Sequence, residues 1–195
     1  MRLAAAICGS LLAAALSLPA AAHEVVYEAQ LSGANESPAS GSLATGFVRV
    51  TIDLDVLSMH VEANFADLGS PSTAAHIHCC VTSGGPPNVG VATQVPTFPG
   101  FPSGVLSGAY DQTFDLAQAS SYNPAFVTAN VTLGDALNAL LNGLAAGNAY
   151  FNIHTTSFTG GEIRGNLRAV PEPEVLAQLA LGLGALGIAR RLRGA

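Results

Sequence analysis

Two imidazoles and two thiols crowd into five residues of this chain, in Ala74-Ala75-His76-Ile77-His78-Cys79-Cys80. All four are donors for soft or borderline metals. Read as a strand, the stretch puts His76 and His78 on one face and Ile77 on the other, because strand side chains alternate. A third imidazole, His154, has a similar setting in Tyr150-Phe151-Asn152-Ile153-His154-Thr155. If these two strands lie close together, three histidines converge. Such a set suits copper or zinc, with Cys79 and Cys80 as candidate further ligands. Glu162, across the following turn, is placed either to orient the His154 ring or to pair with Arg164 or Arg49. The competing reading is structural: the histidines bond to backbone and acids, with both ring nitrogens satisfied, and close the fold.

The elements that must position these groups read as strands. Glu24–Leu31 alternates, with Val25, Tyr27, Ala29 and Leu31 on one face. Residues 46–54 put Val48, Val50, Ile52 and Leu54 together, and 58–68 put Met59, Val61, Ala63 and Phe65 inward. Their close spacing predicts a hairpin. His60 falls in the polar register of its strand and reads as a solvated surface residue. Residues 74–80, 105–116, 150–155 and 162–168 complete the set, with Gly160-Gly161 as the last turn. In the last strand Glu162 and Arg164 share a face and should form an ion pair. Asn152 shares the face of His154 and should bond to loop backbone.

The segment from 81 to 104 has no period, apart from a candidate short strand at 89–93. A loop this long in a compact domain is usually functional. Phe98 and Phe101 read as a clip that holds it down. Residues 120–126 are a short connector that makes at most one turn. One helix is predicted from Leu133, with Asp135 as N-cap, a stripe of Leu137, Leu140, Leu141 and Leu144, and Gly147 as its end. The fold class is therefore all-β, an antiparallel β-sandwich or barrel with one short covering helix.

Composition narrows the function. Residues 23–169 carry eleven acids against three arginines and no lysine. A net charge near −8 excludes nucleic acid and anionic lipid as natural partners and tolerates a cation. Tryptophan is absent, which leaves little material for stacking sugars. Cys79 and Cys80 are adjacent, with Cα atoms about 3.8 Å apart, below the usual disulfide range. A strained vicinal disulfide, an intermolecular bond, metal ligation and two half-buried thiols all remain open. No nucleophilic triad can be assembled around them, since no third group orients the pair.

Both ends look like envelope signals. Residues 1–22 form an apolar leader ending in Pro19-Ala20-Ala21-Ala22, so the mature chain is expected to begin at His23. Cys8 lies too early in that leader for a lipoprotein cysteine. At the other end, Val170-Pro171-Glu172-Pro173 precedes an apolar run from 175 to 189 and then Arg190, Arg191 and Arg193. As a helix that run spans about 22 Å, short of the roughly 30 Å hydrocarbon core. The arginines should stay on the cytoplasmic side. This tail resembles the PEP-CTERM sorting signal of Gram-negative bacteria. The resemblance implies an exosortase-type partner, transient inner-membrane insertion through the C-terminal segment, and release to the outer envelope or extracellular matrix.

The domain between the signals resembles the CHRD domain, first recognised in chordin and found in bacterial secreted proteins. Leu31-Ser32-Gly33-Ala34-Asn35-Glu36 with Pro38 is similar to its opening motif. Ala75-His76-Ile77-His78 is similar to its central motif. Gly147-Asn148-Ala149-Tyr150-Phe151-Asn152-Ile153-His154-Thr155 and Gly160-Gly161-Glu162-Ile163-Arg164-Gly165 match its closing motif. The resemblance implies an immunoglobulin-like β-sandwich or barrel. The chain departs from the family pattern at Cys79-Cys80 and the Phe/Pro/Gly-rich segment after it. The three histidines are also similar in pattern to copper/zinc superoxide dismutase, another β-sandwich. The reading is a secreted, non-enzymatic envelope or matrix module with a polysaccharide or surface protein as partner. Its rival is a copper- or zinc-binding protein, redox-active or not.

Overall fold

The computed structural model describes residues 23–85 and 87–171. The expected leader, residues 1–22, and residues 172–195 of the expected sorting tail at 170–195 lie outside the described residues. Among the described residues no helix is long and apolar enough to cross a membrane.

The described residues form eight strands: β1 (Glu24–Ser32), β2 (Thr45–Asp53), β3 (Ser58–Ala66), β4 (Ser72–His78), β5 (Gly108–Asp115), β6 (Tyr150–Thr155), β7 (Ile163–Asn166) and β8 (Arg168–Ala169). They join in one antiparallel sheet of order β4-β6-β7-β1-β2-β3-β5, with β8 also on β1. The all-β expectation holds, and the sheet is a single curled one, a sandwich-like half-barrel. The narrowest join is β7 to β1, where only Ser32 and Arg164 pair. There the backbones nearly touch. A Cβ on Gly165 would collide with the Gln30 carbonyl and stand 2.9 Å from the Ala29 Cβ, so only glycine fits.

The hydrophobic alternation predicts the inner face well. Tyr27, Ala29 and Leu31 of β1, Val48, Val50 and Ile52 of β2, and Met59, Val61, Ala63 and Phe65 of β3 are all buried. Val25, near the start of β1, is only half-buried, and Leu54 is 42% exposed. Its strand ends at Asp53, where a turn takes over and the alternation stops. Phe98 ties the halves of the curl together. Its ring lies 6.0 Å from Tyr110 and 5.3 Å from Phe114 of β5, and 6.0 Å from Phe151 of β6. Phe101 stacks on Phe65 at 5.5 Å. Both phenylalanines hold the long loop into the core.

That loop does a second job. β4 is an edge strand, and its open edge would leave backbone groups unpaired. Residues 90–105 run along it. The amides of Ala92 and Phe98 donate to the carbonyls of Ile77 and Ala75, and the Cys79 amide donates to Gly90. Thr93 and Thr97 hydroxyls accept from the amides of Ile77 and Ala75. The expected short strand at 89–93 reduces to single bridges at Val91 and Thr93, because threonine side chains replace a regular ladder.

Among the described residues two α-helices form where one helix was expected. The connector at 120–126 lengthens into α1 (Pro124–Ala129), capped by Asn123, whose side chain accepts from the Ala125 amide. α2 (Leu133–Ala145) matches the predicted stripe: Leu140 and Leu144 are fully buried, and Leu137 and Leu141 pack beside them. Its cap is Thr132 and not Asp135. The Thr132 hydroxyl accepts from the Asp135 amide and donates to the Asp135 carboxylate, so the acid completes the cap from the first turn. Gly147, at φ +67°, follows its end as predicted.

Candidate metal centre

His76 and His78 come from β4 and His154 from β6. The two strands are neighbours, and Ala74 pairs with His154, His76 with Asn152, and His78 with Tyr150. Paired positions share a face, so all three imidazoles stand on one side of the sheet. The other side of the same strands is core: Ala75, Ile77, Phe151 and Ile153 are fully buried.

The rings are close. Centroids lie 5.9 Å apart for His76 and His78, 5.1 Å for His76 and His154, and 5.8 Å for His78 and His154. One ring nitrogen from each lies within 4.8 Å of the others. Around one tetrahedral ion, nitrogens at roughly 2.0–2.1 Å from the metal lie about 3.4 Å from one another, inside that limit.

Each ring is oriented by one backbone carbonyl. His76 Nε2–H donates to Pro96 at 2.8 Å, His78 Nδ1–H to Val89 at 2.8 Å, and His154 Nδ1–H to Thr159 at 2.9 Å. A carbonyl only accepts, so the bonded nitrogen must carry the proton. The opposite nitrogen of each neutral ring is then a free base. Those three atoms, His76 Nδ1, His78 Nε2 and His154 Nε2, are buried and have no hydrogen-bond partner among the described residues. Burial pushes the acidity the same way. It lowers His76 and His78 to about 4, helped by repulsion from His154, and lowers His154 as well. All three are neutral bases near pH 7, the form a metal takes.

The flanking groups differ from expectation. Glu162 does not reach His154, so its orienting role is corrected; backbone carbonyls do that work. Its carboxylate is fully buried and accepts from the Ser42 hydroxyl at 2.7 Å, the Gly69 amide at 2.6 Å and the Thr155 hydroxyl at 2.8 Å. The expected Glu162–Arg164 pair is also absent. Ile153 is paired with Ile163, yet its carbonyl accepts from the Glu162 amide. One extra residue breaks the alternation there and sends Glu162 away from Arg164. Arg164 instead approaches Glu36 at 3.8 Å and donates to the Asn35 carbonyl and to Asn88. Glu36 itself is pushed up to about 7 by burial, against the opposing pull of Arg164. Asn152 does reach loop backbone, donating to Gly160 at 3.4 Å.

Cys79 and Cys80 are bonded to each other, beyond the end of β4. Of the states left open by sequence, the vicinal disulfide is the one present. Its sulfurs face the Ala139 carbonyl and Gly143 of α2, so neither is a ligand beside the histidines.

Sequence reasoning missed three features. Tyr150 stacks on His78 with centroids 4.7 Å apart; only its place in the register signals this. Glu36 is drawn in by Arg164 across 128 positions, with no local signal. His60 bonds Asp111 at 2.7 Å and, with Glu62, forms a second donor group on the exposed outer face.

The pattern of the CHRD domain matches residues 27–167. No curated protein and no solved structure matches the chain.

Proposed function

We propose that this chain, which belongs to the CHRD domain family, is an exported metal-binding domain holding copper or zinc through His76 Nδ1, His78 Nε2 and His154 Nε2. One observation carries the reading: three buried, unprotonated ring nitrogens converge with no partner among the described residues. A buried acceptor left unpaired costs about 1–3 kcal/mol. Each ring bonds through one nitrogen and leaves the other, a buried acceptor, without a partner among the described residues. The carbonyls of Val89, Pro96 and Thr159 supply the outer contacts that fix tautomer and ring angle in histidine metal sites. Neutral imidazole donors suit zinc and copper. Three protein ligands leave further coordination positions for a small molecule or anion.

Location follows from the sequence at both ends. The leader and the tail with its Pro-Glu-Pro motif support export, membrane insertion, sorting by an exosortase-type enzyme and a final place in the outer envelope or matrix. A matrix or adhesion role, with a polysaccharide or surface protein as partner, is compatible with the metal centre.

The test is direct. The full chain, purified mildly, is expected to carry or take up one copper or zinc ion by elemental analysis and calorimetric titration. His76→Ala, His78→Ala and His154→Ala should each abolish tight binding, and His60→Ala should not. Absence of tight binding by the folded wild-type protein overturns the reading.

A further inference from the structure

The Cys79–Cys80 disulfide packs at the border of the core, with Cys79 in the buried cluster and Cys80 against it, and it adjoins the histidine centre without belonging to it. It follows His78 directly, and one short segment clasps the two sites. The Val89 carbonyl accepts from His78, the Gly90 carbonyl accepts from the Cys79 amide, and Val91 bridges His78. On its other side the disulfide lies against α2 at Gly143, where a Cβ would collide with both sulfurs. A cavity of about 410 Å³ also reaches it, lined by Cys79, Cys80, Val91, Phe126, Ala129 and Ala139. Cys79 is 5% exposed and Cys80 is more open.

We propose that Cys79–Cys80 is a thiol-exchange site for small dithiols entering through this cavity, and that its redox state sets the metal affinity of the histidine centre. The second half rests on the metal reading above. The chemistry balances. An incoming thiolate attacks Cys80 Sγ, the bond between the two protein sulfurs breaks, and Cys79 leaves as a thiolate and takes a proton. The second thiol of the same reagent then attacks the mixed disulfide. It releases Cys80, which is protonated in turn, and closes the reagent's own disulfide. Two electrons and two protons pass from dithiol to protein.

Geometry links this step to the histidines. Once unbonded, the two sulfurs separate to van der Waals distance, and α2 leaves no room at Gly143. The displacement must go toward the cavity and the 89–91 segment. That segment holds the carbonyl orienting His78, so reduction releases one ligand from its fixed angle.

The experiment uses the full chain purified without reductant. Dithiothreitol is added at neutral pH without denaturant and then removed anaerobically. Alkylation followed by peptide mapping reads Cys79 and Cys80 specifically, and circular dichroism checks the fold. Zinc affinity is measured before and after by chelator competition. Both cysteines should become alkylated in folded protein, and zinc affinity should fall at least tenfold. Cys79→Ser/Cys80→Ser should show the weakened affinity without reductant. No alkylation short of unfolding overturns the exchange site. Equal zinc affinity in both states overturns the coupling. Full alkylation with no zinc bound in either state overturns the metal reading and the coupling, and supports the exchange site alone.

Discussion

His78 lies flat on Tyr150, with ring planes 7° from parallel, and the Arg164 guanidinium covers the other face of Tyr150 at 4.6 Å. The stack holds a candidate ligand from the side while the Val89 carbonyl holds it from the end. Tyr150→Leu removes both aromatic contacts and should cost about 2 kcal/mol, with weaker metal binding. Tyr150→Phe keeps the stack and loses only the hydroxyl's contacts at Val89, so it should cost about 1 kcal/mol or less. Urea unfolding compares the two. Equal losses would mean that the hydroxyl matters and the stack does not.

Stability should depend on pH in two opposed ways. His76 and His78 protonate near 6.5 when unfolded but only at about 4 when folded. The unfolded chain binds more protons between those values, so their contribution is complete above pH 6.5 and is lost on acidification toward 4. The scale is about 3 kcal/mol per ring. Glu36 works the other way. It holds its proton to about 7 when folded, against 4.5 unfolded, so stability falls as pH rises through that window. Glu36→Gln should remove the alkaline decline and leave the acid one. Urea midpoints from pH 4 to 8 check this; an unchanged alkaline limb would refute the Glu36 assignment.

Glu162 is a structural carboxylate. Glu162→Ala strands the Gly69 amide and the Ser42 and Thr155 hydroxyls, and should cost about 3 kcal/mol or more. Metal affinity of the variant that remains folded should equal that of wild type. A loss of binding larger than the loss of folded fraction would restore the orienting role.

Phe98 bridges the two halves of the curled sheet and is fully buried. Phe98→Ala should cost about 3–5 kcal/mol. It should also increase hydrogen exchange at the Ile77 and Ala75 carbonyl partners, the amides of Ala92 and Phe98. Protection unchanged at those amides would mean that the loop is held without the ring.

Much of the architecture was legible because strand alternation is a local signal. Val48, Val50 and Ile52, or Met59, Val61 and Ala63, declare their face by period alone. The same period placed His76 with His78. It misled where the ladder was irregular. The extra residue at Glu162 turned an expected ion pair into two separate networks, and the end of β2 at Asp53 exposed Leu54. Helix α1 was hidden because six residues, fewer than two turns, carry too little periodicity to register.

Composition and spacing alone determined an acidic all-β chain with two histidines on one strand face and a third on a strand of similar character. Only the tertiary structure decided that β4 and β6 are neighbours, since the residues between them span a loop, a strand and two helices. It also decided which nitrogen of each ring is free. That choice depends on carbonyls of Val89, Pro96 and Thr159, whose positions no side-chain pattern encodes, because every residue has a carbonyl and only folding aims it.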